Sequence, residues 1–228
     1  MKRQVGEPLY NLEHYNDSMR GTSLIETFLK GHLWLERLLD DFLTVAADPP
    51  EGLGLNRMTF ANKLRLCKAF ALLPEDYCQI FKKVNSIRNK LAHELTAEIE
   101  NDITQTLLDG SRHDLRSAYE AMDDGTLPPE FDLPQGQLKR WFIAMIIAVG
   151  YMILKHEYEK TYRPEIIGLM AIDVAEEVLD RKPISTTEAY ARMKLPYPPH
   201  PRNVLKSGPP TNVDWPPPFK KSERHDQT

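Results

Sequence analysis

The chain has 228 residues and a mass of 26.3 kDa, with 41% hydrophobic and 27% charged residues. These are the fractions of one soluble globular domain rather than of a fibrous or disordered chain. The formal charge of −4 excludes a uniformly basic nucleic-acid coat, eleven glycines without a three-residue period exclude a collagen-like repeat, and two cysteines are too few for a disulfide scaffold.

The opening residues MKRQVGEPLYNLEHY contain no apolar stretch of secretory length, so no signal peptide is expected. Residues 1–19 are polar with scattered tyrosines and no period, which predicts a loosely held arm. Ser23-Leu-Ile-Glu26 is a capping box, hydroxyl and carboxylate three apart, and predicts a helix start. Leu24, Ile25, Phe28, Leu35, Leu38, Leu39, Phe42 and Leu43 then recur at helical spacing, and Leu33 and Trp34 broaden the stripe, as in a helix packed on more than one side. Asp48-Pro-Pro-Glu-Gly-Leu-Gly54 ends it.

A second helix is expected from Thr59 to Leu73, with Phe60, Leu64, Cys67 and Ala71 in line. Leu73-Pro-Glu-Asp76 stops it and starts a third, proline leading and acids in the first turn. Tyr77, Ile80, Phe81, Val84, Ile87 and Leu91 give that helix the clearest period in the chain. Weaker helical patterns follow at about 97–108 and 113–122, then a strong one from Gln137 to about Tyr162. Its apolar run, Trp141 to Leu154, is shorter than the roughly 20 residues of a membrane span and reads as a buried core helix. A last helix follows Pro164, with Ile166, Ile167, Met170, Val174 and Val178 expected inward. No two-residue alternation bounded by hairpin turns occurs. Ten of the 18 prolines lie between Pro183 and Pro218, so residues 183–228 read as an extended tail, its Tyr197, Trp215 and Phe219 anchoring it on its own domain. The expected organisation is an arm over 1–19, an all-α up-and-down bundle over 20–182 and the proline-rich extension.

The small net charge hides an asymmetry. Residues 57–93 hold eight basic residues against Glu75 and Asp76, whereas residues 94–180 hold seven basic and eighteen acidic ones. A basic segment inside an acidic chain attracts phosphates locally while the whole stays soluble. Conventional sites are missing. Gly52-Leu-Gly54 lacks the third glycine and the strand of a dinucleotide fingerprint, and no phosphate loop occurs. His93-Glu94 lacks the second histidine of a zinc-protease helix, because position 97 is alanine. Cys67 and Cys78 have no partner at zinc spacing and read as reduced core residues of a cytosolic protein. No metal or cofactor is therefore expected.

One constellation remains, Arg88-Asn-Lys-Leu-Ala-His93, at the end of the third helix and inside the basic segment. Arg88 lies one position past Ile87, at the edge of the buried face, where packing can hold its stem while its fork faces outward. Asn89 and His93 are i, i+4 neighbours and share a face. Arg88 and His93, five apart, lie about 140° apart on an unbroken helix and cannot converge on one phosphate. Either the helix breaks near Ala92, or two copies meet across a two-fold axis and build one cleft. The same side chains can instead cap the helix end and pair with Glu94 or Glu98. The carboxylates Glu94, Glu98, Glu100 and Asp102 close behind His93 would repel an incoming phosphate chain.

Arg-Asn-x-x-Ala-His ending an amphipathic helix resembles the Arg-x4–6-His motif of HEPN domains, all-α bundles that occur in many prokaryotic RNases, toxins and defence proteins. Phe60-Ala-Asn-Lys-Leu-Arg-Leu-Cys67 and the apolar first helix are also similar to the mannitol operon repressor-like family. The resemblance covers roughly residues 20–160. It implies a cytoplasmic, metal-independent endoribonuclease, with RNA as substrate, a homodimer as the working form, and an antitoxin or other protein partner for a toxin. His93 would accept the proton of a ribose 2′-OH, a task suited to a side chain that ordinarily titrates near ~6.5. Arg88 would stabilise the phosphorane oxygens, Asn89 would orient Arg88 or a phosphate oxygen, and Lys82, Lys83 and Lys90 would steer the RNA backbone. Some members of such families serve instead as interaction modules or transcription-associated regulators.

Overall fold

The computed structural model describes Tyr10 and residues 12–47, 50–94, 96–122, 131–178, 191 and 193–195. Among them the chain is helical, with no strand. The elements are α1 (Leu12–Ser18), α2 (Leu24–Ala46), α3 (Phe60–Ala69), α4 (Glu75–His93), α5 (Ile103–Asp109), α6 (His113–Ala121) and α7 (Pro134–Val178), with two short 3-10 turns between α2 and α3.

The core is built on α2 and α7, which run side by side in the same direction. Contacts advance in step along them: Phe28 meets Phe142, Phe42 meets His156, and Lys160 Nζ donates to the carbonyls of Val45 and Ala47 at the end of α2. The close approach is made at Gly31, where a Cβ would overlap the Phe142 ring. The start of α2 is the expected capping box: Ser23 N–H donates to Glu26 Oε2 at 2.9 Å, and Glu26 N–H donates to Ser23 Oγ at 3.3 Å. Helix Pro134–Ala171 is long and apolar enough by composition to cross a membrane, but 67% of its apolar window is buried inside this fold, with Trp141, Phe142, Met145, Val149, Ile153 and Leu154 in the core.

Four expectations meet a different outcome. Within residues 1–19, α1 forms, and Tyr10, Tyr15 and Met19 are buried. Tyr15 packs edge-on against Trp34, so a polar stretch is held by a few aromatic anchors. The second helix ends at Ala69 rather than Leu73. Ala71 takes φ +52, its N–H donates to Lys68 O, and Leu72 N–H donates to Cys67 O, the paired bonds of a Schellman close. The helix expected from about 97 begins at Ile103, as α5. The last two helices are one element with a non-helical break at Tyr162 (φ −111, ψ 17), two residues before Pro164, which lacks the N–H and crowds the preceding turn. Past the break the helix overhangs the end of α2, and Ile167 and Met170 are exposed, not inward. The Val174 and Val178 side chains, and all but a few residues of the proline-rich extension, lie outside the described residues.

Candidate functional site

α4 enters the fold through Tyr77, Phe81 and Val84, all fully buried. Arg88 and Leu91 continue that same ridge by helical spacing. Yet Ile87 and Leu91 are only half-buried and Arg88 is exposed. The cover changes because α3 begins opposite the middle of α4. The Phe60 ring, at the first residue of α3, stacks on Phe81 and on His32 of α2, and past that point α3 supplies nothing.

Facing this emerging end of α4 is the first part of α2. His32 Nε2 lies 3.3 Å from Asn85 Oδ1. Farther from the motif, Lys63 of α3 donates to Glu36 at 2.8 Å and to Asp40 at 3.0 Å. Burial alone would lower the Lys63 pKa, but the two carboxylates outweigh it and hold the ammonium above the ordinary lysine range. The ridge Asp40–Glu36–His32 therefore faces α3 and α4, and by helix geometry it continues to Leu29 and Ile25, toward the Arg88 end of α4. Both continue it uncovered: Ile25 is 39% and Leu29 37% exposed, and Leu33 on the neighbouring row is 63% exposed. Of these, Ile25 and Leu33 are side chains that periodicity places in or beside the buried stripe. The motif thus sits at a basic edge with an exposed apolar strip next to it.

The helix does not break near Ala92; it runs to His93, and Glu94 N–H donates to Lys90 O to close it. Arg88 and His93 therefore stay about 140° apart and are not brought together within one copy. Arg88 Nη1 donates to Asn89 Oδ1 at 3.3 Å, so these two are together. Arg88, Asn89 and His93 are all exposed. Among the described residues, neither Arg88 nor His93 forms an ion pair with Glu94 or Glu98, the pairing that a purely structural role would use. Glu94, Glu98, Glu100 and Asp102 are exposed. All three lysines are exposed, and Lys83 Nζ also donates to Thr106 O at 2.6 Å, tying α4 to α5.

Elsewhere, no group of three or more His, Cys, Asp or Glu side chains able to hold a metal occurs among the described residues. Cys67 and Cys78 are free and buried. Burial pushes the Cys67 thiol up to about 12, which removes it as a nucleophile. His32 and Asn85 were not singled out by the sequence. A histidine among apolar residues carries no signal of its own, and only its one-turn offset within the α2 stripe distinguishes it. The chain matches no family model, no curated protein and no solved structure.

Proposed function

We propose that this protein is a HEPN-like, metal-independent endoribonuclease of toxin or defence type, working in the cytoplasm as a homodimer. The observation that carries the reading is the exposed Arg88 at a ridge position that is buried one turn earlier, without an ion pair among the described residues, beside an uncovered apolar strip. A solvent-facing guanidinium that, among the described residues, is bonded to Asn89 alone is available to a phosphate.

The unbroken α4 makes one copy insufficient, because its arginine and histidine diverge. A second copy related by a two-fold axis, seated on Ile25, Leu29 and Leu33, covers the apolar strip and sets one copy's His93 near the other's Arg88. In such a cleft His93 takes the proton from a ribose 2′-OH, and the oxygen attacks the adjacent phosphorus. The bond to the 5′-oxygen breaks, and that oxygen takes up a proton from the second imidazole or from water. The products are a 2′,3′-cyclic phosphate and a 5′-hydroxyl. Arg88 stabilises the charge on the phosphorane, Asn89 holds the guanidinium, and Lys82 and Lys90 steer the backbone. DNA lacks the 2′-OH and is not a substrate. A toxin role entails an antitoxin or other restraining protein.

The test is incubation of the purified protein with structured RNA in EDTA. Cleavage to cyclic-phosphate ends that disappears in Arg88→Ala and in His93→Ala supports the assignment. No cleavage, or cleavage unchanged in both variants, refutes it. The exposed carboxylates behind His93 favour a second reading, a non-catalytic interaction module or transcription-associated regulator. It expects a stable protein partner in pull-downs, and wild-type expression no more harmful to the host than His93→Ala.

A further inference from the structure

The geometry points to His32 as a positioning residue that sets the Arg88 end of the site through Asn85. The catalytic readout of this inference rests on the ribonuclease reading; its spectroscopic readout does not.

His32 is 4% exposed, on the α2 ridge that faces α3 and α4. Its ring is stacked on Phe60, centroids 4.5 Å apart and planes 28° apart, and Phe60 is stacked in turn on Phe81 at 6.0 Å. Three rings from three helices thus fix where the imidazole lies. From there Nε2 reaches Asn85 Oδ1. A leucine or phenylalanine at position 32 would fill this space without desolvating a polar pair, which is costly unless the hydrogen bond is made. What the pair adds is direction, since a hydrogen bond is angular and dispersion is not. Asn85 precedes Arg88 by three residues and Asn89 by four, so the three side chains are neighbours on one turn of α4. A rotation of that turn about the helix axis would swing Arg88 and Asn89 together, and the His32–Asn85 bond opposes it.

The charged groups near the imidazole are consistent with this role. Glu36 lies one turn on along α2, Arg88 faces it from α4, and α3 presents Phe60 and the Lys63 ammonium, which Glu36 and Asp40 engage. Burial foremost, with Arg88 adding to it against the Asn85 bond and Glu36, lowers the His32 pKa below the ordinary histidine range. A neutral ring bonds Asn85 without placing a second cation beside Arg88.

The experiment compares wild type with His32→Phe, which keeps the stacking on Phe60 and loses the polar atom, His32→Gln, which regains an amide, and Asn85→Leu. The Arg88 side-chain Nε–Hε resonance, assigned by its loss in Arg88→Lys, is recorded for each protein. Cleavage of a short single-stranded RNA is measured at saturation and below it. His32→Phe and Asn85→Leu should melt close to wild type and shift the Arg88 resonance. They should lower kcat by about 10- to 100-fold while KM moves little, as misplacement of a catalytic group does. His32→Gln should recover much of both readouts, and the double variant should cost no more than either single one. An Arg88 resonance unmoved in His32→Phe overturns the inference, and so does a loss of activity that tracks melting temperature and is not recovered by glutamine. Should the wild type cleave no RNA, the ribonuclease reading falls, and the Arg88 resonance still decides the positioning role.

Discussion

The two halves of α4 are one continuous helix with opposite commitments. From Tyr77 to Val84 the ridge residues have no exposure and α4 is wedged between α2 and α3; past Asn85, as far as His93, the polar residues face solvent, and Ile87 and Leu91 are only half covered. The same helical period runs through both, so the difference comes from where α3 begins, not from α4 itself. A segment that keeps its amphipathic pattern after its neighbour has ended is paired with something else or held ready for a ligand. The overhang of α7 beyond Lys160 is a second such place, where Arg163 is exposed one turn before the exposed Ile167 but no histidine of residues 161–178 accompanies it.

Substitution on the two halves should separate them most sharply. Phe81→Ala empties a fully buried site between Phe60 and the core, and is expected to cost about 3–5 kcal/mol. Urea unfolding would read it as a lower midpoint at constant slope. Arg88→Ala and His93→Ala, on the exposed half, should stay within about 0.5 kcal/mol of wild type. On RNA cleavage the order reverses: both should lose on the order of 10²–10³-fold, the scale of losing a charge-stabilising group for Arg88 and a general base for His93. An Arg88→Ala protein that unfolds as readily as Phe81→Ala would make the guanidinium structural and erase the contrast.

The next effect concerns the strip on α2. Leu29→Asp places a carboxylate on a side chain that is 37% exposed in one copy and central in the proposed pair. It should shift sedimentation toward the monomer, since desolvating an unpaired charge at an interface costs several kcal/mol. Ile167→Asp, on the α7 overhang, should leave the mass unchanged. If both substitutions act alike, or neither does, the α2 strip has no special place in self-association.

A smaller effect is pH-dependent and follows from burial at the junction of the halves. Burial above all lowers the His32 pKa, and the same cause lowers that of His156 beside Phe42. The unfolded chain titrates its histidines near ~6.5, so below that pH it binds protons that the folded chain refuses. Stability is then complete above ~6.5 and declines as the pH falls toward the lowered folded-state values. His32→Phe should remove part of the decline between pH 7 and 5 measured by urea unfolding, and His156→Phe another part. A decline of unchanged steepness in both would place its origin in the carboxylates.

How much of this could be read from the residues follows the same division. The Ser23–Glu26 cap and the α4 stripe were legible because both depend on spacing along one helix. The exposure of Ile25, Leu29 and Leu33 was not, since periodicity marks a side chain as apolar and is silent on where the neighbouring helix ends. Burial of Tyr10, Tyr15 and Met19 was hidden by the polar residues between them. At the motif, the residue types and their divergence on the helix were legible. The His32–Asn85 contact was not, because 53 residues separate the partners and neither lies in a recognisable pattern.

The slightest change tests how α3 is ended, and with it where α4 starts. Ala71 holds φ +52 so that its own N–H and that of Leu72 can close α3 onto Lys68 and Cys67. A left-handed alanine costs roughly 1–2 kcal/mol, because Cβ crowds the following carbonyl. Glycine removes that crowding but gives back part of the gain through its freer unfolded chain. Ala71→Gly should therefore raise stability by about 0.5–1 kcal/mol, a shift of a few degrees in a domain of this size. Nothing at Arg88 or His93 should change, since the turn lies at the far end of α4. A glycine that instead destabilised the fold would mean that the alanine methyl is packed where the backbone alone shows strain.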